Sequence, residues 1–241
     1  MDILLIAILT AIATIIGTVT GFGTSTVMIP FLLLSYPLGQ TLLLVGIIHL
    51  CGNLWKVILF GRDFQWKLVL SFGIPGIIAS YIGASLIINT SQQIMSRILG
   101  AFLIAYVIWL FINKSFKVRK TIVTQISGGA LSGFLAGIFG IGGAVRAAFL
   151  SAFNLPKAVY ICTAGAIALF VDTTRLTKYL IDGIRLDQRI LFALPLFIII
   201  SFISAYIAKR ILKYIPQKYF RTIVAILLFI VALKLLIFPG K

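Results

Sequence analysis

Long apolar stretches alternate with short polar breaks along the whole chain. The stretch Leu68–Ile88, for example, contains no charged residue. A helix needs about 20 apolar residues to cross a bilayer, so this stretch is long enough to span one. The pattern predicts an all-α chain with segments at 3–20, 26–36, 38–60, 66–88, 94–113, 122–139, 144–154, 157–179, 188–208 and 219–238.

The composition narrows the class of protein. Hydrophobic residues make up 61% of the chain and charged residues only 11%, whereas a soluble domain carries about 25% charged residues. We therefore expect an integral, polytopic membrane protein. The net charge of +16 fits basic loops beside anionic lipid better than nucleic-acid binding, so we expect no nucleic-acid partner. Cys51 and Cys162 lie in apolar stretches as small buried side chains, and we expect neither a metal nor a cofactor.

Two glycine clusters interrupt apolar segments, at Gly21-Phe22-Gly23 and at Gly140-Ile141-Gly142-Gly143. Each glycine costs a helix about 1 kcal/mol relative to alanine, so the clusters predict broken helices. A break inside a bilayer survives only where protein, water or a ligand satisfies the backbone. A short helix that begins after the break presents free N–H groups and the positive end of its dipole, which predicts an anion site. Thr24 and Ser25 follow the first break and could cap the short helix or donate to the ligand.

The two halves of the chain resemble each other. The sequence predicts two pseudo-symmetric repeats, each with a glycine-broken first helix followed by three transmembrane helices. We expect the first repeat at 1–113, a cytoplasmic linker at 114–121 and the second repeat at 122–241. An offset of 119 residues pairs Gly21 with Gly140, Gly23 with Gly142, Pro37 with Pro156, Asn53 with Asp172 and Lys56 with Arg175.

The orientation of the repeats depends on whether the broken helix spans the membrane or returns as a hairpin. If it spans, the repeats are parallel, and the Lys and Arg residues of the loops divide ten to seven between the two sides. If it returns, the repeats are inverted, and the division is twelve to five. The second division obeys the positive-inside tendency better. We therefore favour inverted repeats with both termini outside.

Asp172, Arg175 and Arg146 are charged residues inside apolar segments. A charge at bilayer depth costs about 2.5–3.5 kcal/mol, so such a residue tends to face a cavity or a partner. Asp172 and Arg175 are three residues apart and share one helical face. They could form a purely structural ion pair. That interpretation leaves Arg146 without an evident partner, and we favour one arginine facing the substrate.

The first-half counterparts are Asn53 and Lys56, and His49 lies one turn before Asn53. Asn53 has an amide that needs partners when it is buried. Lys56 could couple transport to a second ion, or it could reach the membrane interface instead. His49, with an ordinary pKa near 6.5, could carry a coupling proton or could simply be a packed, hydrogen-bonded side chain.

The chain lacks the common enzyme signatures, including G-x-S-x-G, H-E-x-x-H and G-x-x-x-x-G-K-[ST]. One histidine and five aspartates leave few candidates for acid–base catalysis. The residues therefore favour a secondary transporter of a small anion over an enzyme. An anion channel built on the same site is the alternative. Gly129, Gly133 and Gly137, spaced four apart, predict close helix packing.

The motif Gly21-Phe22-Gly23 followed by Pro30, and the motif Gly140-Ile141-Gly142-Gly143 in the second half, resemble the TauE/SafE sulfite-exporter family. Leu155-Pro156-Lys157 and Asp172-x-x-Arg175 look like one branch of it. Thr24-Ser25 and Ala144 stand where the family has a third motif glycine, and Phe149 stands where a second Pro30 would be. The resemblance implies export or uptake of sulfite or an organosulfur anion, such as a sulfonate, across a prokaryotic cytoplasmic membrane. The sequence does not decide whether the protein forms a homodimer.

The sequence thus leads to one set of candidate site residues. The predicted substrate-binding residues are Gly21, Gly23, Thr24, Ser25, Asn53, Gly140, Gly142, Gly143, Arg146, Asp172 and Arg175, with His49 and Lys56 as candidates for coupling to a proton or another ion.

Overall fold

The computed structural model describes residues 3–21, 23–61, 64–87, 90–112, 119–153, 155–211 and 217–237. These residues are helical apart from turns and connecting loops. The predicted linker 114–121 lies mostly outside them. The helices are α1 Ile3–Thr20, α2 Thr24–Leu32, α3 Leu38–Phe60, α4 Trp66–Ser85, α5 Gln92–Ile112, α6 Ile122–Phe139, α7 Gly142–Ala152, α8 Lys157–Ile181, α9 Gln188–Ile211 and α10 Gln217–Ile237.

Every predicted segment is confirmed as a helix, but the prediction for α2 was wrong at its end. The pattern predicts a helix to residue 36, whereas α2 ends at Leu32. The chain then turns, and the N–H groups of Ser35 and Tyr36 both donate to Leu32 O. Leu32 inside the helix and Leu33 and Leu34 after it are all apolar, so hydrophobicity alone does not mark where the helix stops.

The outer surface is apolar. Six helices of the described residues are long and apolar enough to cross a membrane, namely α3, α4, α5, α6, α8 and α9. On α4, Leu70, Ile74, Ile78 and Ile82 are exposed at intervals of four residues and form one continuous apolar stripe. Such a stripe would be costly in water and is typical of a lipid-facing helix surface.

The two halves of the chain interlock rather than fold side by side. Helix α4 packs on α6, α1 on α9, α3 on α8 and α5 on α10. The α4–α6 contact is especially close because Gly129, Gly133 and Gly137 face the α4 backbone. A Cβ added at any of them would overlap a carbonyl oxygen of α4. The predicted packing role of this glycine series is confirmed.

Each short helix folds back along the helix before it. Gly23 N donates to Gly17 O at 3.4 Å, and Ser132 Oγ donates to Gly142 O at 2.8 Å, so the start of each short helix lies beside the preceding helix. Further along α7, Phe149 packs where a Cβ on Gly128 would lie. Gly23 and Gly140 have φ values of 82° and 70°, which glycine adopts without strain. The predicted broken helices are therefore hairpins.

Candidate functional site

Helices α3 and α8 cross closely at the centre of the protein, and glycines make this approach possible. A Cβ added to Gly46 on α3 would lie 3.3 Å from both Nη atoms of Arg175. A Cβ added to Gly165 on α8 would lie 3.4 Å from Asn53 O. The close crossing brings the polar side chains of the two helices into direct contact.

The polar side chains of α3 and α8 form a continuous hydrogen-bonded chain. Lys56 Nζ donates to Asn53 Oδ1 at 3.3 Å, and Asn53 Nδ2 donates to Asp172 Oδ2 at 3.3 Å. Arg175 Nε donates to Asp172 Oδ1 at 2.8 Å. The Asp172–Arg175 ion pair is therefore present, but it is one link in a longer network rather than an isolated pair.

His49 joins this network to the first glycine break. Its Nδ1 lies 2.7 Å from Asp172 Oδ2, and its side chain is only 3% exposed. A Cβ added to Gly23 would lie 2.6 Å from His49 Nε2. Since the Asp172 carboxylate accepts from Nδ1–H, a neutral His49 presents its Nε2 lone pair toward Gly23, and a protonated one presents a second N–H.

A small cavity opens beside this network at the first glycine break. Of the predicted residues, Gly21, Gly23, Asn53, Lys56 and Arg146 line it. Lys56 therefore points inward, which contradicts the alternative that it reaches the membrane interface. Sequence reasoning missed the other lining residues, which are Gly17, Thr18, Tyr160, Ile161, Ala164 and Gly165.

Arg146 is the most exceptional residue of this cavity. Its side chain extends from α7 of the second half, is 3% exposed, and has a buried Nε atom without a hydrogen-bond partner. A buried charge is strongly unfavourable unless an opposite charge or a hydrogen-bonding partner compensates it. Among the described residues, the three buried cations Lys56, Arg146 and Arg175 share one buried carboxylate, Asp172. The cluster is suited to an additional negative charge.

The remaining predicted residues have other surroundings. Gly140 lies next to Arg175 rather than in the cavity, and a Cβ on Gly142 would overlap Ser132 O of α6. Gly143 is buried in the first turn of α7. Thr24 and Ser25 are fully buried, and neither side-chain oxygen has a hydrogen-bond partner. The expectation that they cap α2 is wrong, because Gly23 is the N-cap and no side chain bonds there.

The missed residues differ in how far the sequence could have revealed them. Gly46 and Gly165 are separated by the same offset of 119 as the other repeat pairs, so the repeat itself contained a signal for them. Tyr160 had no such signal, because a tyrosine near the start of an apolar helix is unremarkable.

Among the described residues, no group of three His, Cys, Asp or Glu side chains could hold a metal ion. Cys51 and Cys162 form no disulfide with each other.

Comparison with known proteins agrees with the architecture. The chain matches the model of the sulfite exporter TauE/SafE family over residues 5–235. A probable membrane transporter protein of Methanocaldococcus jannaschii is 32% identical over 89 residues, which is 35% of this chain and 33% of that relative. The match with this curated relative thus spans about a third of the relative's length. No solved structure gives a significant match. The family match together with the apolar helices identifies the chain as an integral multi-pass membrane protein of the sulfite exporter TauE/SafE family.

Proposed function

We propose that this protein is a secondary transporter that moves a small oxyanion, sulfite or an organosulfur anion such as a sulfonate, across the membrane. The anion binds near the bilayer midplane, in the cavity at the N-terminus of α2. Lys56 and Arg146 supply the positive charge, while Asn53 and Tyr160 supply neutral hydrogen-bond donors. The family description supports sulfite as the first substrate to test.

The observation that carries this proposal is the pair of buried cations, Lys56 and Arg146, that lines one cavity, while none of the described residues in its lining is a carboxylate. The cavity also borders Gly23, the residue that precedes α2. The first N–H groups of a helix have no partner within the helix, and the helix dipole adds positive potential there. An anion in the cavity would meet both kinds of positive charge and would offset the cost of burying them.

Our proposal also includes two inverted repeats, at 1–113 and 122–241, joined by a cytoplasmic linker at 114–121. The packing supports this arrangement, since α1 packs on α9 as α4 packs on α6. Gly46 faces Arg175 and Leu176, while Gly165 faces Lys56 and Val57. Each residue of one contact is 119 positions from its counterpart in the other. Repeats that meet at a central site are a recurrent plan of secondary transporters.

Counterflow in proteoliposomes tests the function directly. Vesicles loaded with unlabelled sulfite should take up radiolabelled sulfite with saturable kinetics. Arg146→Gln and Lys56→Gln should each reduce uptake by about tenfold or more, because each removes a charged donor. Tyr160→Phe keeps the ring and should raise KM about tenfold through loss of one hydrogen bond to an anion.

Lys120→Gln is the matched control, because Lys120 is exposed, bonds Gln65 Oε1 and lies outside the cavity. It should transport at the wild-type rate. A thermal-shift series with sulfite, sulfate, methanesulfonate and acetate then ranks the anions. Wild-type counterflow by folded Arg146→Gln would contradict the assigned site. Large unitary currents without counterflow would identify a channel instead.

A further inference from the structure

The guanidinium of Arg175 is a fully buried cation that uses only part of its hydrogen-bonding capacity. Nε donates to Asp172, whereas Nη1 and Nη2 make no well-directed hydrogen bond. Tyr179 lies alongside, with its ring centre 6.0 Å from Arg175 Cζ; its hydroxyl donates to Gly137 O, and its oxygen faces the guanidinium as one weak acceptor. The two Nη atoms of a guanidinium can bind two oxygens of one oxyanion, so this free edge matches such a ligand.

The free edge lies at the second glycine break. A Cβ added to Gly140 would lie 3.4 Å from Nη1, and one added to Gly46 would lie 3.3 Å from both Nη atoms. Gly140 comes two residues before the start of α7, so the cation lies near the positive end of the α7 dipole. Asp172 compensates the charge on the Nε side of the guanidinium, so the positive potential of the α7 N-terminus adds to that of the Nη side.

The surroundings of Arg175 are also the counterpart of the cavity in the other half. At the offset of 119, Arg175 corresponds to Lys56, Asp172 to Asn53, Gly140 to Gly21 and Gly46 to Gly165. The four counterparts all line the cavity, and they are Lys56, Asn53, Gly21 and Gly165. Arg175 and its surroundings therefore correspond to these four lining residues, whereas Arg146 and Tyr160 of the cavity correspond to Val27 and Thr41.

We propose that Arg175, Gly46 and Gly140 form a second anion subsite, distinct from the cavity at Lys56 and Arg146 and specific for the same oxyanion. This inference rests on the proposed transport function and adds a second binding site to the path of the anion. Asp172 is a positioning residue, because it holds Nε and leaves the Nη edge free. The two binding sites are connected by the hydrogen-bonded chain Lys56–Asn53–Asp172–Arg175.

Equilibrium binding of radiolabelled sulfite to the purified full-length protein counts the sites. The wild type should bind two anions per chain at saturation. The double variant Asp172→Asn with Arg175→Gln removes the Arg175 fork without leaving one member of the ion pair buried alone, and it should bind one anion per chain. Arg175→Lys keeps the charge but loses the planar fork, so it should bind two, one of them about tenfold more weakly.

A pair of glycine variants separates the subsites without changing any charge. In Gly46→Ala the new methyl group would lie 2.6 Å from Leu176 Cδ2, whose flexible end must shift, and 3.3 Å from both Nη atoms of Arg175, so the second site should weaken while the first is kept. In the matched variant Gly165→Ala the methyl group meets Val57 and Asn53 O beside the cavity, and the first site should weaken instead.

One bound anion per wild-type chain would overturn the second subsite, as would two in the folded double variant. Loss of all binding in the folded double variant would also overturn it, because Arg175 would then belong to a single site. If the wild type binds none of sulfite, sulfate and methanesulfonate, the proposed function fails and the subsite fails with it.

Discussion

At the scale of single residues, His49 occupies the position from which a proton could influence the anion. Its Nδ1 contacts Asp172, and its Nε2 faces the glycine break that borders the cavity. The charged groups that act on it are Asp172 on α8, Lys56 on α3 and Arg146 on α7, while Arg175 binds the other oxygen of the Asp172 carboxylate. A proton on His49 adds positive charge beside the anion, so anion and proton should favour each other's binding.

We therefore expect His49→Gln to uncouple transport while keeping exchange. Glutamine retains a donor for Asp172 but cannot take up a proton near neutral pH. Sulfite counterflow at constant pH should continue, whereas accumulation driven by an imposed pH gradient should be lost. Both are measured in the same proteoliposomes. Gradient-driven accumulation at the wild-type level in His49→Gln would show that the histidine only packs.

Residue type explains which parts of the site could be predicted from the sequence. A charged or titratable side chain inside an apolar segment is costly to bury, so it stands out in the sequence as a candidate for function. Such residues are Arg146, Asp172, Arg175 and His49. Tyr160 is amphipathic and common near helix ends, so only the fold shows that it reaches Gly21. Because Thr24 and Ser25 follow a break, the sequence predicts that they cap α2 or donate to the ligand; Gly23 occupies the N-cap position, so only the role as ligand donors stays a prediction.

At the scale of helices, periodicity and glycine spacing predict most of the architecture. The long apolar segments clearly predict helices. The end of α2, in contrast, depends on a turn that hydrophobicity does not predict. The glycine series on α6 predicts a close contact but not its partner, because nothing local in the sequence identifies α4. The energetic importance of that contact can be tested with two glycines that differ only in their surroundings.

Gly133→Ala should destabilise the protein and Gly73→Ala should not. A Cβ at Gly133 would overlap the backbone of Gly76, which can move only if α4 and α6 separate. Overpacking of this kind costs about 1–3 kcal/mol. A Cβ at Gly73 meets nothing within 4 Å, so this helical glycine should gain up to about 1 kcal/mol in helix propensity. Thermal unfolding in detergent measures both, and equal melting temperatures would contradict the packing role.

At the scale of the whole molecule, side-chain contacts show which loops lie at the same end. Lys120 bonds Gln65 Oε1, Gln65 N bonds Thr163 Oγ1, and Cys162 Sγ donates to Gly61 O. Lys209 donates to Leu59 O close by. At the opposite end, Leu38 N bonds Gln92 Oε1, and Gly39 packs against Ile184. The last residues of the linker and the C-terminal end of α9 therefore share one end, as inverted repeats require.

Cysteine labelling tests which end of the protein faces the cytoplasm. Single cysteines at Lys120, Arg210 and Gln188, all exposed, are introduced after replacing Cys51 and Cys162 by alanine. Basic loops stay in the cytoplasm, so an impermeant maleimide added outside intact cells should label Gln188→Cys alone. Lys120→Cys and Arg210→Cys should react only after permeabilisation, and sulfite counterflow by each variant shows that it has folded. Parallel repeats would put Lys120 and Arg210 on opposite sides, so labelling of just one of them in intact cells would overturn the inverted arrangement.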